Sequence, residues 1–229
     1  SNTGNKMATV AFTTATSGNG SVTYYDNTGL TIDTVGGAAS LTSPAGTVAS
    51  TAVPAISGIA TVAGGANGAV VIAAGNTGGV GLTVTQAINT AAGTAATAGG
   101  SVLLEADGSI AITNNGGTQL GAITTTGNGT GAGGEVFIHH TSGVTGKAIT
   151  LTGNTAGTVI SAKGGASGNG GVVTLLNDDG NIALGGGIDV TGPSGTDGTI
   201  QLQANGSITG KGNLVGDTNG LLLAKTTGT

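Results

Sequence analysis

The sequence predicts an all-β protein built as a parallel β-helix, a solenoid in which three short strands make each turn, or rung. Three observations support this fold class. Of 229 residues, 49 are glycine, and only 2% are aromatic. Charged residues make up 7% of the chain, where an ordinary globular domain has roughly 25%. Short alternating apolar runs recur between the glycines, as a narrow repeating interior of small aliphatic side chains requires.

Other glycine-rich classes fit the sequence less well. A disordered chain usually combines low hydropathy with high net charge, but here the mean hydropathy is +0.28 and the net charge is -5. Collagen needs glycine at every third residue and abundant proline, and this chain has three prolines. No apolar run approaches about 18 residues, the length at which a membrane-spanning helix is expected. We therefore expect one folded domain over residues 1–229.

The first side of each rung is predicted from seven alternating runs, each preceded by a glycine. The spacing between successive starts varies from 22 to 48 residues, and we interpret GIATVAG at 58–64 as a degenerate extra rung inside the longest interval. The prediction is thus about 7–8 rungs, more degenerate over 1–67 and clearer over 68–229. The glycines that precede the runs are Gly20, Gly68, Gly100, Gly134, Gly171, Gly198 and Gly220.

The second side follows the first at a nearly fixed distance, and a third, more variable stretch closes each unit. Second-side runs begin at Leu30, Leu82, Ser109, Ala148, Asn181 and Ser207. Third-side stretches begin at Gly121, Gly157, Gly186 and Gly212. Three short strands per repeat, each ended by Gly, Asn or Asp, are typical of a three-sided parallel solenoid.

Alternation along each run predicts which side chains face inward, because successive residues of a strand point to opposite faces. In the run after Gly100, the acidic residues share one face, so the other face is inward. The same register predicts two inward columns on the first side and two on the second, stacked about 4.8 Å apart. The first-side columns are Val22, Val70, Val102, Val136, Val173 and Ile200, and Tyr24, Ile72, Leu104, Ile138, Leu175 and Leu202. The second-side columns are Leu30, Leu82, Ile110, Ile149, Ile182 and Ile208, and Ile32, Val84, Ile112, Leu151 and Leu184.

One turn carries an additional prediction. The register leaves Asn177 facing inward close to a turn, where its amide could bond neighbouring backbone. Compared with the run after Gly100, one extra residue lies among Asn177, Asp178 and Asp179. We expect a turn insertion or a β-bulge there.

Both ends of the sequence resemble incomplete rungs. Residues 8–16 alternate like the last side of a rung, and the run after Gly220 starts a new rung with one side. No cap of different composition is recognisable at either end. We interpret this either as a segment of a longer solenoid or as a protomer whose ends complete each other, giving a head-to-tail filament.

The two histidines are the first candidates for a metal site. His139 and His140 are adjacent in the sequence, and neighbours on a strand point to opposite faces, so they cannot hold one ion without a bulge. We expect an exposed His139 beside Phe137 and His140 at the strand end. No metal site and no cofactor are predicted.

Asp178 and Asp179 are the strongest candidates for catalysis, because polysaccharide hydrolases use paired carboxylates as acid and base. The chain has no arginine and no Gly-His-Gly, and Asp-Asp-Gly is typical of a turn. The prediction is therefore no enzyme and no catalytic residue. Calcium could bind only adventitiously, since the glycine-rich stretch 164–171 lacks the Asp of calcium-binding repeats and Asp217 stands alone.

Two surface hypotheses remain. Outward Thr-x-Thr pairs at Thr83/Thr85 and Thr150/Thr152 suggest ice binding, although Ala111/Thr113 and Ala183/Gly185 interrupt the array. Thermal hysteresis of the purified chain would test that function. The second hypothesis is sugar stacking on the four aromatic residues, Phe12, Tyr24, Tyr25 and Phe137. They are scattered along the sequence and make no stacking platform. The register predicts that Tyr24 points inward and Tyr25 outward.

The charge pattern and the missing cysteines limit the partners. With only five basic residues, all lysine, the chain has no basic stripe for nucleic-acid phosphates. Without cysteine, neither a disulfide framework nor a thiolate metal site is available. The remaining partners are a second copy of the chain or neighbouring segments of a longer solenoid.

Three stretches, GGSVLLEADGSIAITNNGG (99–117), GGVVTLLNDDGNIALGGGIDVTG (170–192) and GTIQLQANGSITGKGNLVG (198–216), resemble repeats of filamentous-haemagglutinin-like bacterial exoproteins. The resemblance is clearest over 68–229. It implies a right-handed helix, secretion by the two-partner or autotransporter route, and a location outside the cell or on its surface. The expected function is an extracellular structural rod or fibre module. The alternatives are an adhesin stalk that meets host-surface or matrix glycans, an ice-binding protein and a polysaccharide-active enzyme.

Overall fold

The computed structural model describes residues 5–14, 20–37, 54–61, 68–94, 96–114, 122–141, 145–153, 157–217 and 219–228. These residues form strands and turns without a helix. Three parallel sheets of seven strands each make up the three sides of the solenoid. The predicted fold class, an all-β parallel β-helix with three strands per rung, is confirmed.

The three sheets are numbered by the side of the rung that they form. Sheet 1 contains β3 (Val22–Asp26), β8 (Val70–Ala74), β11 (Val102–Ala106), β14 (Glu135–His140), β17 (Val172–Asn177), β20 (Thr199–Ala204) and β23 (Leu221–Thr226). Sheet 2 contains β1 (Thr9–Val10), β4 (Leu30–Ile32), β9 (Val80–Val84), β12 (Ser109–Thr113), β15 (Ile149–Thr152), β18 (Ile182–Gly185) and β21 (Ile208–Gly210). Sheet 3 contains β2 (Phe12–Thr13), β7 (Ile59–Ala60), β10 (Ile88–Asn89), β13 (Ile123–Thr124), β16 (Thr158–Ser161), β19 (Gly187–Asp189) and β22 (Leu214–Val215). A separate antiparallel pair joins β5 (Thr34–Val35) to β6 (Ile56–Ser57).

The strand registers confirm the predicted inward columns. Val102 pairs with Val70 on one side and with Val136 on the other, and Ile110 pairs with Leu82 and Ile149. Most of these side chains are fully buried in one continuous core. Because burying an aliphatic side chain of this size contributes about 1.5–3 kcal/mol, the stacked columns are the main stabilising feature of the fold.

Glycine at the corner before sheet 1 is required by close backbone approach. A Cβ atom on Gly68 would lie 1.7 Å from the carbonyl oxygen of Gly20, and one on Gly198 would lie 1.8 Å from that of Gly171. No larger residue fits where one rung's corner rests directly on the next. The high glycine content therefore follows in part from this corner contact, which recurs at Gly68, Gly134, Gly171 and Gly198.

The interval before Gly68 differs from the prediction. The sequence predicted an extra rung at 58–64, but β3 pairs directly with β8, so no rung intervenes. Ile59 and Ala60 instead form β7, the third side of the first rung; residues 62–64 lie outside the described residues. The long interval is an insertion between β4 and β7 that carries the β5–β6 pair.

The first strands also differ from expectation. Residues 8–16 were predicted to form only the last side of an incomplete rung. They contribute two sides, because Thr9–Val10 pairs with β4 in sheet 2 and Phe12–Thr13 pairs with β7 in sheet 3. Residues 15 and 16 lie outside the described part of the chain. The sequence did not predict this division into two strands. Alternation over only two residues per strand is too short to show where the corner between the strands lies.

The turn after β17 has the predicted form. Asn177 is 1% exposed, and its side-chain amide donates to the carbonyl oxygens of Lys147 and Asn181, each at 2.9 Å. The β17–β20 ladder runs without a shift up to Asn177 and Ala204. The extra residue is therefore a turn insertion and not a bulge.

Candidate functional site

The two histidines lie on opposite faces of β14, as predicted. His139 is on the outer face, where Nδ1 is 3.2 Å from Oε1 of Glu105 and Nε2 is 2.9 Å from Oδ2 of Asp178. The expectation of an exposed His139 is wrong, because the two carboxylates leave its side chain only 18% exposed. Phe137 is next to it, with ring centroids 5.8 Å apart.

This outer cluster of Glu105, His139 and Asp178 connects three successive rungs. The carboxylates contact opposite nitrogens of the imidazole, so the three groups do not converge on one point. Among the described residues, no group of three or more His, Asp or Glu side chains is placed to hold a metal ion. Partly exposed polar contacts of this kind contribute about 0–1 kcal/mol each, so the cluster links the three rungs only weakly.

His140 ends β14 and faces the core. It is fully buried, between Ala106 and Asn177 in its column. Neither ring nitrogen has a hydrogen-bond partner among the described residues. A buried polar group without a partner costs about 1–3 kcal/mol. No substrate can reach this imidazole, so its position disfavours a catalytic role.

The carboxylates of Asp178 and Asp179 do not form an acid–base pair around a cleft. Asp178 is engaged by His139, and its backbone N–H donates to the His140 carbonyl oxygen. The Asp179 N–H donates to Oδ1 of Asn177 at 3.2 Å, as in an Asx turn. Both residues occupy the turn that the Asp-Asp-Gly sequence predicted.

A further polar network surrounds Asp26, a residue that the sequence did not predict as a site. Its Oδ2 accepts the Met7 N–H at 2.8 Å and the Tyr24 hydroxyl at 3.0 Å. Its Oδ1 accepts the N–H and hydroxyl of Thr28 at 2.9 and 2.6 Å. Burial opposes ionisation, but these hydrogen bonds outweigh it and lower the pKa of Asp26. The sequence does contain a signal for this network, because Asp26 is an acidic residue at an inward position of the register, two residues after Tyr24.

The phenol of Tyr24 belongs to the same network. Burial raises its pKa, and the hydrogen bond to Asp26 and the charge of that carboxylate raise the pKa further. Its ring lies 5.6 Å from that of Phe12. Tyr25 points outward and is 47% exposed. The predicted inside and outside positions are confirmed, and the four aromatic residues make no shared platform.

The threonine array is interrupted where the sequence predicted. On the outer face of sheet 2, Ala111 separates Thr83 from Thr150, and Ala183 follows Thr150. The second row continues from Thr113 to Thr152 and then to Gly185. A flat, uninterrupted Thr surface is therefore not present on the described part of sheet 2.

Three consecutive exposed leucines of the described residues lie on β23, the outermost strand of sheet 1. Leu221, Leu222 and Leu223 are 61%, 52% and 58% exposed. The inward residue of β3 at the opposite edge of the sheet, Val22, is 7% exposed. An outermost strand also presents unpaired backbone groups that can accept another strand. Backbone pairing with a further strand is thus the chemistry that this edge can perform.

No protein-family model matches the chain, and neither a curated protein nor a solved structure is significantly similar to it. The described residues include no helix that is long and apolar enough to cross a membrane.

Proposed function

We propose that the chain is an extracellular structural protein, a rod or fibre module whose activity is the stacking of its own rungs. The observation that carries this proposal is the stacking of three seven-stranded parallel sheets, with strands in sequence order, around one aliphatic core. Each rung supplies the backbone and apolar surface on which the next rung rests, so the architecture extends along one axis.

The dimensions favour a module over a complete fibre. Seven strands, about 4.8 Å apart, span about 30 Å along the axis. A rod much longer than this needs continuation, either by more rungs of the same polypeptide or by additional copies. The exposed leucines of β23 are placed where such continuation would cover them.

The outer surface supports a structural role as well. The outer face of sheet 2 carries small uncharged residues, among them Thr31, Thr83, Ala111, Thr150 and Ala183. Such a face can pack laterally without burying charge. The resemblance to haemagglutinin-like exoproteins supports an extracellular or cell-surface location in a bacterium, reached by secretion.

Immunogold electron microscopy of the source cells tests this function. Antiserum raised against the purified chain should label fibres or the surface of intact cells, and absorption of the serum with the chain should remove the label. Label that appears only after the cells are permeabilised would contradict an extracellular structural role.

An adhesin stalk that binds glycans is the alternative, and one surface depression favours it. A depression of about 270 Å³ near the start of sheet 1 is lined by Tyr25, Glu105, Asp107 and Thr141, among others. An exposed ring beside carboxylate acceptors suits stacking and hydrogen bonding to a sugar. On a glycan array, binding that is lost in Tyr25→Ala but kept in the Tyr24→Phe control would support the stalk.

A further inference from the structure

We propose that His140 makes one rung of the solenoid sensitive to acid, so that the rung is closed while this buried imidazole is neutral and opens when the imidazole takes up a proton. The rung concerned, here called the β14 rung, consists of β14, β15 and β16, and β14 lies between β11 and β17 in sheet 1. This inference goes beyond the proposed rod function and does not depend on it.

The side chain of His140 is enclosed and unpaired. It is 0% exposed, and over the described part of the chain neither Nδ1 nor Nε2 has a hydrogen-bond partner. A neutral imidazole has one N–H donor and one acceptor nitrogen, so both groups are unsatisfied. An unpaired polar group in the core already disfavours folding, and an unpaired charge at the same place disfavours it much more.

The neighbours of His140 in its inward column cannot stabilise a protonated ring. On β11 the neighbour is Ala106, which offers only a methyl group. On β17 the neighbour is Asn177, whose amide nitrogen donates to two backbone carbonyl oxygens and whose Oδ1 accepts the Asp179 N–H. Neither neighbour therefore supplies a carboxylate or a bonded acceptor to an imidazolium.

The strands around His140 place no charged side chain against it. The inward residues of β11 and β17 are Val, Leu, Ala and Asn, and those of β12 and β15 are Ile and Leu. The ionisable residues of these strands and their turns lie on the outer face or in the turns, namely Glu105, Asp107, Glu135, His139, Lys147, Asp178 and Asp179. None of them is within hydrogen-bond distance of either ring nitrogen of His140.

This environment determines the direction of the pH effect. An imidazole that is exposed to water has an ordinary pKa of about 6.5, so an opened rung takes up a proton at His140 below that pH. The closed rung has no acceptor for the proton. Because a falling pH favours the state that binds more protons, the closed rung has its full stability above about pH 7 and loses stability as the pH falls through about 6.5.

The adjacent residue on the outer face, His139, responds in the opposite direction. A doubly protonated ring can donate to both Glu105 and Asp178, whereas a neutral ring can donate to only one of them. Acid therefore strengthens this outer contact while it weakens the core beneath it. Since contacts between partly exposed charges are weak, the buried His140 determines the net response.

Hydrogen–deuterium exchange of the full chain, followed by mass spectrometry, tests this response. Between pH 7.5 and 5.5, protection of the β14 amides, corrected for the pH dependence of chemical exchange, should fall about tenfold. That ratio is expected if His140 takes up a proton only in the opened rung. Protection of the β3 amides, three rungs away, should change less than about twofold, because each rung contacts only its neighbours.

Three variants assign the response to one residue. His140→Gln keeps a buried polar group that cannot take up a proton, and His140→Leu replaces the ring by an apolar side chain of similar volume. Both should reduce the pH-dependent change at β14 to less than about twofold, and either one suffices if the other does not fold by circular dichroism. His139→Gln is the matched control, because it removes the adjacent ring from the outer face; it should keep a fall of about tenfold or more.

Three results would overturn the proposal. They are an unchanged protection of β14 in the wild-type chain, a tenfold fall that persists in a folded His140 variant, and a fall that disappears in His139→Gln. An equal fall at β14 and β3 would overturn the local opening. None of these results bears on surface labelling of cells, so the rod proposal succeeds or fails separately.

Discussion

The two ends of the solenoid close in different ways. At the first end, the core residues nearest the edge are covered, and Val10 and Val22 are 6% and 7% exposed. At the last end, Leu222 is 52% exposed although it continues the column of Val22. The interior columns are the same throughout, so the difference lies in what covers them.

Two features close the first end. Strands β1 and β2 lie over sheets 2 and 3, and the carboxylate of Asp26 ties Met7 and Thr28 to the end of β3. At the last end, the carboxylate of Asp197 likewise accepts the backbone N–H groups of Gly192 and Asn219, each at 2.9 Å, and so fixes the chain just before β23. A polar group thus fixes the neighbouring chain at both ends, and the difference between the ends lies in β1 and β2, which cover the apolar columns at the first end.

The largest test of this difference is a pair of leucine truncations. Leu30→Ala removes a 1% exposed side chain near the first end, and it should cost about 2–5 kcal/mol through lost burial and a residual cavity. Leu222→Ala at the last end should cost less than about 0.5 kcal/mol, as is usual for exposed sites. Urea unfolding followed by far-UV circular dichroism, at concentrations where the chain is monomeric, measures both. Equal losses would show that the two ends are equally closed.

A pair of corner glycines gives the next largest effect. The Cβ of Gly68→Ala would lie 1.7 Å from the Gly20 carbonyl oxygen, and forcing the rungs apart should cost about 1–3 kcal/mol. In Gly220→Ala, the nearest atom is the Gly216 Cα at 2.8 Å, and the last rung can yield, so a smaller loss is expected. Gly36→Ala is the control, since nothing lies within 4 Å of its Cβ. The same urea midpoints rank the three variants, and a Gly68→Ala midpoint equal to that of Gly36→Ala would contradict the corner constraint.

Removing the charge of Asp26 should open the first end. Asp26→Asn replaces a carboxylate that accepts four hydrogen bonds, and the loss should be about 1–2 kcal/mol. Asp217→Asn, at an exposed residue near the last end, should change stability by less than about 0.5 kcal/mol. Both tyrosines of the chain lie on β3, so tyrosine fluorescence reports this end selectively. An unchanged tyrosine-detected unfolding transition in Asp26→Asn would contradict the role of Asp26 in closing the first end.

The smallest effect expected is a dependence on pH confined to the first end. Because the pKa of Asp26 is lowered in the folded chain, its contribution is complete above the unfolded value of about 3.9. The contribution is lost as the pH falls through the folded value below that. The tyrosine-detected midpoint should thus be constant from pH 7 to about 5 and fall below about pH 4. Asp26→Asn should flatten that fall, and a wild-type midpoint with the same pH dependence as the variant would contradict the assignment.

Much of the fold could be predicted because alternation carries the information directly. The positions of Val102, Leu104 and Ile110 in the core follow from a period of two and from the location of the acidic residues. The inward Asn177 followed from the same register. The rung to which Ile59 and Ala60 belong could not be predicted in this way, since the two-residue strand β7 is too short to show it.

The polar clusters were harder to predict. His139 contacts residues 34 and 39 positions away in the sequence, and only the stacking of rungs brings them together. Glu105 and His139 do share an outward column, which an alignment of the repeats can reveal. Asp26 accepts a hydrogen bond from the Met7 N–H. That contact could not be predicted, because it depends on where the residues before β1 cross the end of the solenoid.

The sequence by itself determined the solenoid, the inward columns and the corners, because strand alternation and glycine spacing are local properties that each rung repeats. Only the tertiary structure decided how the ends differ, which carboxylates meet His139 and which strand edge is left uncovered. Those features depend on contacts between residues that are far apart in the sequence, such as the hydrogen bond from the Met7 N–H to Asp26.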